Sequence, residues 1–263
     1  MAHGFRAYAH RGGSEVAPEN SPAAFAAAMA LGYTWLETDV RATRDGVAVI
    51  HHDPLLNRTT DMSGPVLALP WHEVRRAHLA NGEFPMRLEE LLEAHPDASV
   101  NVDLKEAPVI APVLDALRRT RAWHRVCLTS FSTRRLRAAR RWAPSAIETA
   151  AGPAEVFLQR TAPPRLAQRL GARPDRLQVP ARLVTDTYLR RAHAHGLPVD
   201  AWTVNDPAQM SRLIAAGVDG IMTDAPALLR DVLRSHGRWD SSAPCVRTGV
   251  RFPQRNRGKD QGV

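Results

Sequence analysis

The chain has 263 residues, 44% of them hydrophobic, and a formal net charge of +8. That length and apolar share suit one sizeable core of the size common for barrel domains, and they exclude a fibrous or disordered chain. No apolar run reaches the roughly 18 residues of a membrane span, so no integral membrane association is expected. The charge excess calls for no nucleic-acid partner: residues 236–263 hold six Arg or Lys against two Asp or Glu, and the other arginines are scattered through helical faces such as "RRLRAARR".

Phe5 already opens an apolar strand, which leaves no room for a signal peptide, and a cytoplasmic protein is expected. Cys127 and Cys245 do not make a disulfide framework. Only Lys105 and Lys259 among the 35 basic residues are lysines, so Lys105, inside a strand pattern, places a compact ammonium where the chain elsewhere uses guanidinium.

Strand patterns run in chain order over 5–10, 34–40, 99–105, 125–131, 146–152, 176–180, 198–205 and 218–224. Helical patterns follow most of them, over 22–31, 107–120, 133–142, 154–160, 185–195, 207–216 and 226–235. Pro22, Pro207 and Pro226 stand near helix starts, and Gly32, Gly196 and Gly217 where helices stop. Eight strands alternating with helices read as an α/β fold, a (β/α)8 TIM barrel, over residues 5–238. The Ser-, Pro-, Gly- and Arg-rich stretch 239–263 reads as a basic disordered tail.

One further strand pattern, "VAVIHHD" (47–53), cannot join the parallel set. Only "RATRDG" separates it from the second strand, far short of a crossover connection. It therefore returns antiparallel, as a β-hairpin turning at Asp45-Gly46, with the loop-like insertion 54–85 and one helix near Trp71–Ala80 lying over the barrel mouth. A two-residue loop sets Asp39 opposite His52, roughly 4.5–5.5 Å apart at Cβ, with His51 on the other face; a three-residue or bulged loop shifts that register.

In such barrels the chemistry sits at the C-terminal ends of strands. The first strand ends in "AHRGG", which offers His10, Arg11 and glycines that admit a ligand to the backbone. The second carries Glu37 and Asp39 on one face, and the third carries Asn101, Asp103 and Lys105. Three carboxylates converging from neighbouring strands raise one another's pKa unless a cation sits among them, and oxygen ligands suit Mg²⁺ or Ca²⁺. One such divalent cation with Arg11 and Lys105 makes a positive cup for a phosphate ester, and His10 and His52 stand at its rim as acid and base.

Taken together, "AHRGG", "APENS", "LETDV", "HHD", "NVDLKE", "LTSFS", "AWTVN" and "GVDGIMTDAP" resemble the glycerophosphodiester phosphodiesterase family, in its order, over roughly residues 8–231. The resemblance implies a TIM barrel that hydrolyses glycerophosphodiesters to sn-glycerol 3-phosphate and an alcohol with Mg²⁺ or Ca²⁺. It implies His10 and His52 as the catalytic pair, Arg11 on the phosphate, Glu37 and Asp39 on the metal, and Asp103 and Lys105 as the third acidic ligand and the lysine. The family more often has glutamate at the position of Asp103, which puts the cation nearer the third strand or behind a water.

The remaining polar residues carry two readings each. Glu19 and Asn20 buttress the His10 loop, with Glu19 beside the metal or His10, or they cap the next helix. Asp53 orients His52 or caps the turn before Pro54. Trp202 lines the alcohol or glycerol side of the pocket or packs as core, and Asn205 and Asp224 contact substrate or cap helices. A phospholipase D-like enzyme acting on lysophospholipids or sphingolipids, favoured by an apolar mouth over 54–85, is the second functional reading. A non-catalytic phosphodiester-binding barrel is the third. The sequence leaves the oligomeric state open.

Overall fold

Alternation along the strands sorts side chains between a helical shell and the barrel interior. On β4 (Ser99–Leu104), Val100, Val102 and Leu104 are fully buried against the outer core, whereas Asn101 and Asp103 line the interior cavity. The computed structural model describes residues 4–144, 147–162, 166, 169 and 174–239. The other strands are β1 (Arg6–Ala9), β2 (Trp35–Ala42), β3 (Ala48–Ile50), β5 (Val126–Thr129), β6 (Glu148–Thr149), β7 (Leu177–Pro180), β8 (Val199–Trp202) and β9 (Gly220–Thr223).

Eight of these run parallel in the order β6-β5-β4-β2-β1-β9-β8-β7, and a parallel bridge between Ala150 and Arg176 joins the two ends of the path. This is the eight-stranded α/β barrel expected from the sequence. Helices Pro22–Ala30, Ile110–Thr120, Thr133–Trp142, Pro153–Thr161, Asp186–Ala194, Pro207–Ala216 and Pro226–Ser235 cover the sheet. Ser21, Ser132, Thr185 and Asp206 accept a backbone N–H at the starts of four of them, which satisfies donors the helix cannot. Two apolar clusters fill the space between sheet and helices. Trp239 packs against both and meets Tyr33 edge-on at 5.2 Å. The rest of the stretch read as a tail, 240–263, lies outside the described residues, as do 145 and 146 at the start of the sixth strand pattern. No described helix is long and apolar enough to cross a membrane.

β3 pairs antiparallel with β2, as the short connection requires, but in a different register from the one a two-residue loop gives. Val40 faces Ile50 and Ala42 faces Ala48, and the His51 N–H donates to the Asp39 carbonyl at 2.9 Å. His51, not His52, is thus the residue opposite Asp39. The turn is a three-residue Arg44-Asp45-Gly46 loop with Gly46, at φ +76°, in its left-handed position, which adds one residue to the turn. The insertion after the hairpin forms 3₁₀ turns at Leu56–Arg58 and Val66–Ala68 and a helix at Trp71–Val74. That helix ends well before Ala80. A small core of Val49, Leu56, Val66 and Val74 holds the insertion in place.

The N-terminal ends of the strands close on a buried charge network. Arg176 grips Asp200 with Nε and Nη2, at 2.5 and 2.7 Å, and reaches Glu148 at 3.1 Å. Arg6 holds Glu148 from the other side at 2.7 Å, and the Tyr8 hydroxyl donates to Asp200 at 2.9 Å. Gly220 leaves room for this: a Cβ there would lie 2.5 Å from Asp200 Oδ1. Asp200 is fully buried, so losing its guanidinium strands a charge. Arg176→Met should therefore cost about 3–5 kcal/mol and lower Tm by roughly 10 °C. Arg176→Met/Asp200→Asn, with no charge left behind, should recover part of that loss in a thermal melt. Equal melting of the single variant and the parent would contradict the role of this pair.

Candidate active site

The chain leaves β1 in a 3₁₀ turn over His10–Gly12, and Arg11, Gly12 and Gly13 all have positive φ. The glycines are required by packing as well as by dihedral angle. A Cβ on Gly12 would sit 2.8 Å from the Ala24 Cβ, and one on Gly13 2.4 Å from the Pro226 ring. Pressed between two helices in this way, the turn aims the Arg11 N–H at Glu37, 3.0 Å away, and brings His10 to the mouth.

His10 Nδ1 lies 2.6 Å from Asp224 Oδ1. Asn205 clamps Asp224 in turn, its Nδ2 donating at 2.8 Å while its Oδ1 accepts from the Asp224 N–H at 2.9 Å. Burial would raise the Asp224 pKa, but the hydrogen bonds from His10 and Asn205 outweigh it and hold the group low, as an ionised acceptor. The imidazole therefore carries its proton on Nδ1, and Nε2 faces Glu37 at 3.8 Å. For His10 itself burial acts downward, and the charge of Glu37 with the Asp224 bond overcomes it, so the pKa is raised above 6.5.

His52 is held the same way: Nδ1 is 2.6 Å from Asp53 Oδ1. The two-residue register is not what brings it to the cavity. β3 ends at Ile50 and the strand alternation with it, so His52 lines the cavity with Asp39 while His51 is buried, its Nε2 3.0 Å from the Leu55 carbonyl. Asp53 is braced by Arg58 at 2.5 Å, and that bond, with His52, depresses its pKa well below the usual carboxylate range. Arg58 also grips Glu19 at 2.7 and 3.0 Å, and Glu19 accepts from Arg11 at 3.0 Å. Glu19 thus ties the loops after β1 and β3 through two arginines, and through Arg11 it braces the His10 turn.

Between the imidazoles lie the carboxylates. Glu37 is opposite Asn101 and Asp39 opposite Asp103, all four buried and lining the cavity. Lys105 Nζ bridges Asp39 at 2.7 Å and Asp103 at 2.5 Å, a single point charge shared by two acids. Arg11 Nε makes an ion pair with Asp39 at 3.0 Å, and Asn20 donates to the same carboxylate at 3.0 Å. Burial alone would raise Asp39, but Lys105 and Arg11 overcome it and hold the group ionised. For Asp103 burial wins over Lys105, and the pKa is raised. Burial pushes Glu37 up to about 7, against the opposing charge of His10.

Among the described residues no three His, Cys, Asp or Glu side chains already stand as a metal cage. Two features nevertheless fit a hard cation: Asp103 Oδ1 is buried with no partner, and Glu37 is pressed toward protonation. The all-oxygen donor set of Glu37, Asp39 and Asp103 matches Mg²⁺ or Ca²⁺.

The two imidazoles, the three carboxylates Glu37, Asp39 and Asp103, and Arg11 and Lys105 open on one cavity of about 520 Å³, a size that suits small-molecule sites. Trp202 lines it, edge-on to Phe131 at 5.3 Å. The apolar wall comes from Phe131, Val156, Phe157 and Leu183, and residues 54–85 contribute nothing to the lining. Sequence reasoning missed four residues outright or in role. Asp224 and Asn205 hold no helix cap position and are not among the residues lining the cavity: Ala225 and Asp206 hold the cap positions, and the pair serves His10. The signal was the acid at the end of "GIMTD". Arg160 and Arg182 also line the cavity, and nothing in their local sequence distinguishes them from the other scattered arginines.

Comparison with known proteins agrees with this geometry. The model of the glycerophosphoryl diester phosphodiesterase family matches residues 10–228. The chain is 43% identical over 253 residues to a Mycobacterium tuberculosis protein named "Probable glycerophosphodiester phosphodiesterase 2", which covers 92% of this chain and 96% of the relative. It is 31% identical to the glycerophosphodiester phosphodiesterase of Caldanaerobacter subterraneus, over 87% of this chain and 98% of that one. Among solved structures, an Oleispira antarctica phosphodiesterase in complex with the product sn-glycerol-3-phosphate superposes with a TM-score of 0.76 at 26% identity, over 87% of this chain and 96% of that one. By the family model and the full-length relatives, this chain belongs to the glycerophosphoryl diester phosphodiesterase family.

Proposed function

We propose that this chain is a phosphoric diester hydrolase that cleaves glycerophosphodiesters to sn-glycerol 3-phosphate and an alcohol, with His10 and His52 moving the protons. One observation carries the reading: two imidazoles, each gripped at Nδ1 by a carboxylate 2.6 Å away, open on the same cavity as Arg11 and Lys105. Family membership, and the product bound by the Oleispira antarctica relative, support the substrate class.

The chemistry follows from where the protons can go. A ring with its proton fixed on Nδ1 presents Nε2 to the cavity, either as a base or, when protonated, as an acid. One imidazole takes the proton of the attacking hydroxyl as its oxygen bonds to phosphorus. The other gives a proton to the alkoxide as the bond from phosphorus to the alcohol oxygen breaks. Where water attacks, sn-glycerol 3-phosphate forms directly. Where the substrate's own glycerol hydroxyl attacks, the cyclic glycerol phosphate left after the alcohol departs is opened by water in a second step, the two imidazoles exchanging roles. Arg11 and Lys105 bear on the non-bridging oxygens, where negative charge concentrates in the transition state. Asp224 and Asp53 are positioning residues that fix the tautomers and stabilise each imidazolium as it forms. Glu37, Asp39 and Asp103 would hold a divalent cation, which when bound supplies Lewis-acid stabilisation of the phosphate. Phe131 and Phe157, each 64% exposed at the mouth, favour a second reading in which lysophospholipids are hydrolysed with the acyl chain on the apolar wall.

Two outcomes test the proposal. His10→Ala and His52→Ala should each lower kcat on a glycerophosphodiester by about 10²–10⁴-fold with a much smaller change in KM; near-normal turnover in both variants would refute the assignment. Chelator should abolish activity, and added Mg²⁺ or Ca²⁺ should restore it in the parent but not in Asp39→Asn. Full activity in excess chelator would remove the cation from the account.

A further inference from the structure

Two arginines on the far side of the mouth have no counter-ion among the described residues. In the circular order of strands β6 lies opposite β1 and β7 opposite β2. Arg160 sits on the helix Pro153–Thr161 after β6, and Arg182 in the turn Ala181–Leu183 after β7. Both line the cavity, across the barrel from the strands that supply His10, Glu37 and Asp39. Cations on the opposite side are compensated: Arg11 by Asp39 and Glu19, Lys105 by Asp39 and Asp103, Arg58 by Asp53 and Glu19. Among the described residues neither Arg160 nor Arg182 has an ion pair or hydrogen bond.

The positive charge left over in the cavity is therefore concentrated at its β6–β7 side. Val156, Phe157 and Leu183 line the same side. Low-polarity walls weaken screening by water and strengthen attraction to an anion. Guanidinium groups bind phosphate by parallel N–H donors. A phosphodiester bound at the two imidazoles would extend one arm across the cavity toward this side. Its glycerol arm is uncharged and common to every glycerophosphodiester, so selection by charge here must read the alcohol.

We infer that Arg160 and Arg182 form a subsite for a second anionic group, and that the enzyme prefers glycerophosphodiesters whose alcohol carries another phosphate. This deepens the phosphodiesterase reading and rests on it. The test compares kcat/KM for glycerophosphocholine, glycerophosphoglycerol and bis(glycerophospho)glycerol, whose alcohols are cationic, neutral and anionic. The parent should favour the anionic over the cationic substrate by roughly 10-fold or more, after correction for its two equivalent ester ends. The preference should reside in KM and shrink with added salt.

In Arg160→Gln/Arg182→Gln the ratio should fall toward one, and Arg160→Glu/Arg182→Glu should invert it in favour of choline. Because each variant is read as a ratio between substrates, a smaller folded fraction does not blur the result. A parent that hydrolyses neutral glycerophosphoglycerol but treats the charged substrates alike overturns the subsite, as does a double-Glu variant that keeps the anionic preference. A parent that hydrolyses none of the three counts instead against the phosphodiesterase reading.

Discussion

A carboxylate on each Nδ1 is the constraint on which this site depends. An imidazole free to flip offers either nitrogen to the cavity, and a base pointed the wrong way is no base at all. Asp224 and Asp53 remove that freedom at 2.6 Å each. They come from opposite ends of the chain, one just beyond β9 and one just beyond β3, and each is braced by its own neighbour, Asn205 or Arg58. The barrel supplies the reason such distant residues meet. Parallel strands deliver all their C-terminal ends to one face, so residues far apart in sequence share one mouth.

Charge balance sets the rest. Glu37, Asp39 and Asp103 are buried within one sheet face, and burying a charge without a partner is costly. Lys105 resolves most of it by bridging two of the three acids, which one ammonium can do and a planar guanidinium does less readily. That geometry accounts for a lysine in a chain that otherwise uses arginine. What Lys105 leaves uncompensated, Glu37 and one oxygen of Asp103, is where the site retains an appetite for positive charge. The opposite wall has the converse imbalance, with Arg160 and Arg182 unpaired among the described residues. The cavity is thus polarised along the direction a bound diester would span.

Much of this was legible in the residues. Two-residue spacing in "LETDV" and "NVDLK" puts acids on the inward face, and strand pairing brings Asp39 beside Asp103 as that spacing requires. The parallel order was legible because most strands are followed by a helical pattern, and the hairpin because no crossover fits between β2 and β3. The register was not, since Gly46 permits loops of two or three residues and only packing selects between them. His52 reaches the cavity because the strand ends at Ile50, a point no periodicity marks. Asp224 stayed ambiguous because an acid before Ala-Pro at a strand end is equally the pattern of a helix cap. Arg160 and Arg182 were illegible, because what sets them apart is the absence of a partner in space among the described residues.

The most direct test of the central claim is ¹⁵N NMR of the two imidazoles, assigned with His10→Gln and His52→Gln and titrated with inorganic phosphate. The account predicts that both rings carry the proton on Nδ1 in the free protein, and that phosphate shifts Nε2 of both. A ring with Nδ1 bare, or phosphate shifting one histidine while leaving the other untouched, would contradict a shared cavity served by two carboxylate-held imidazoles.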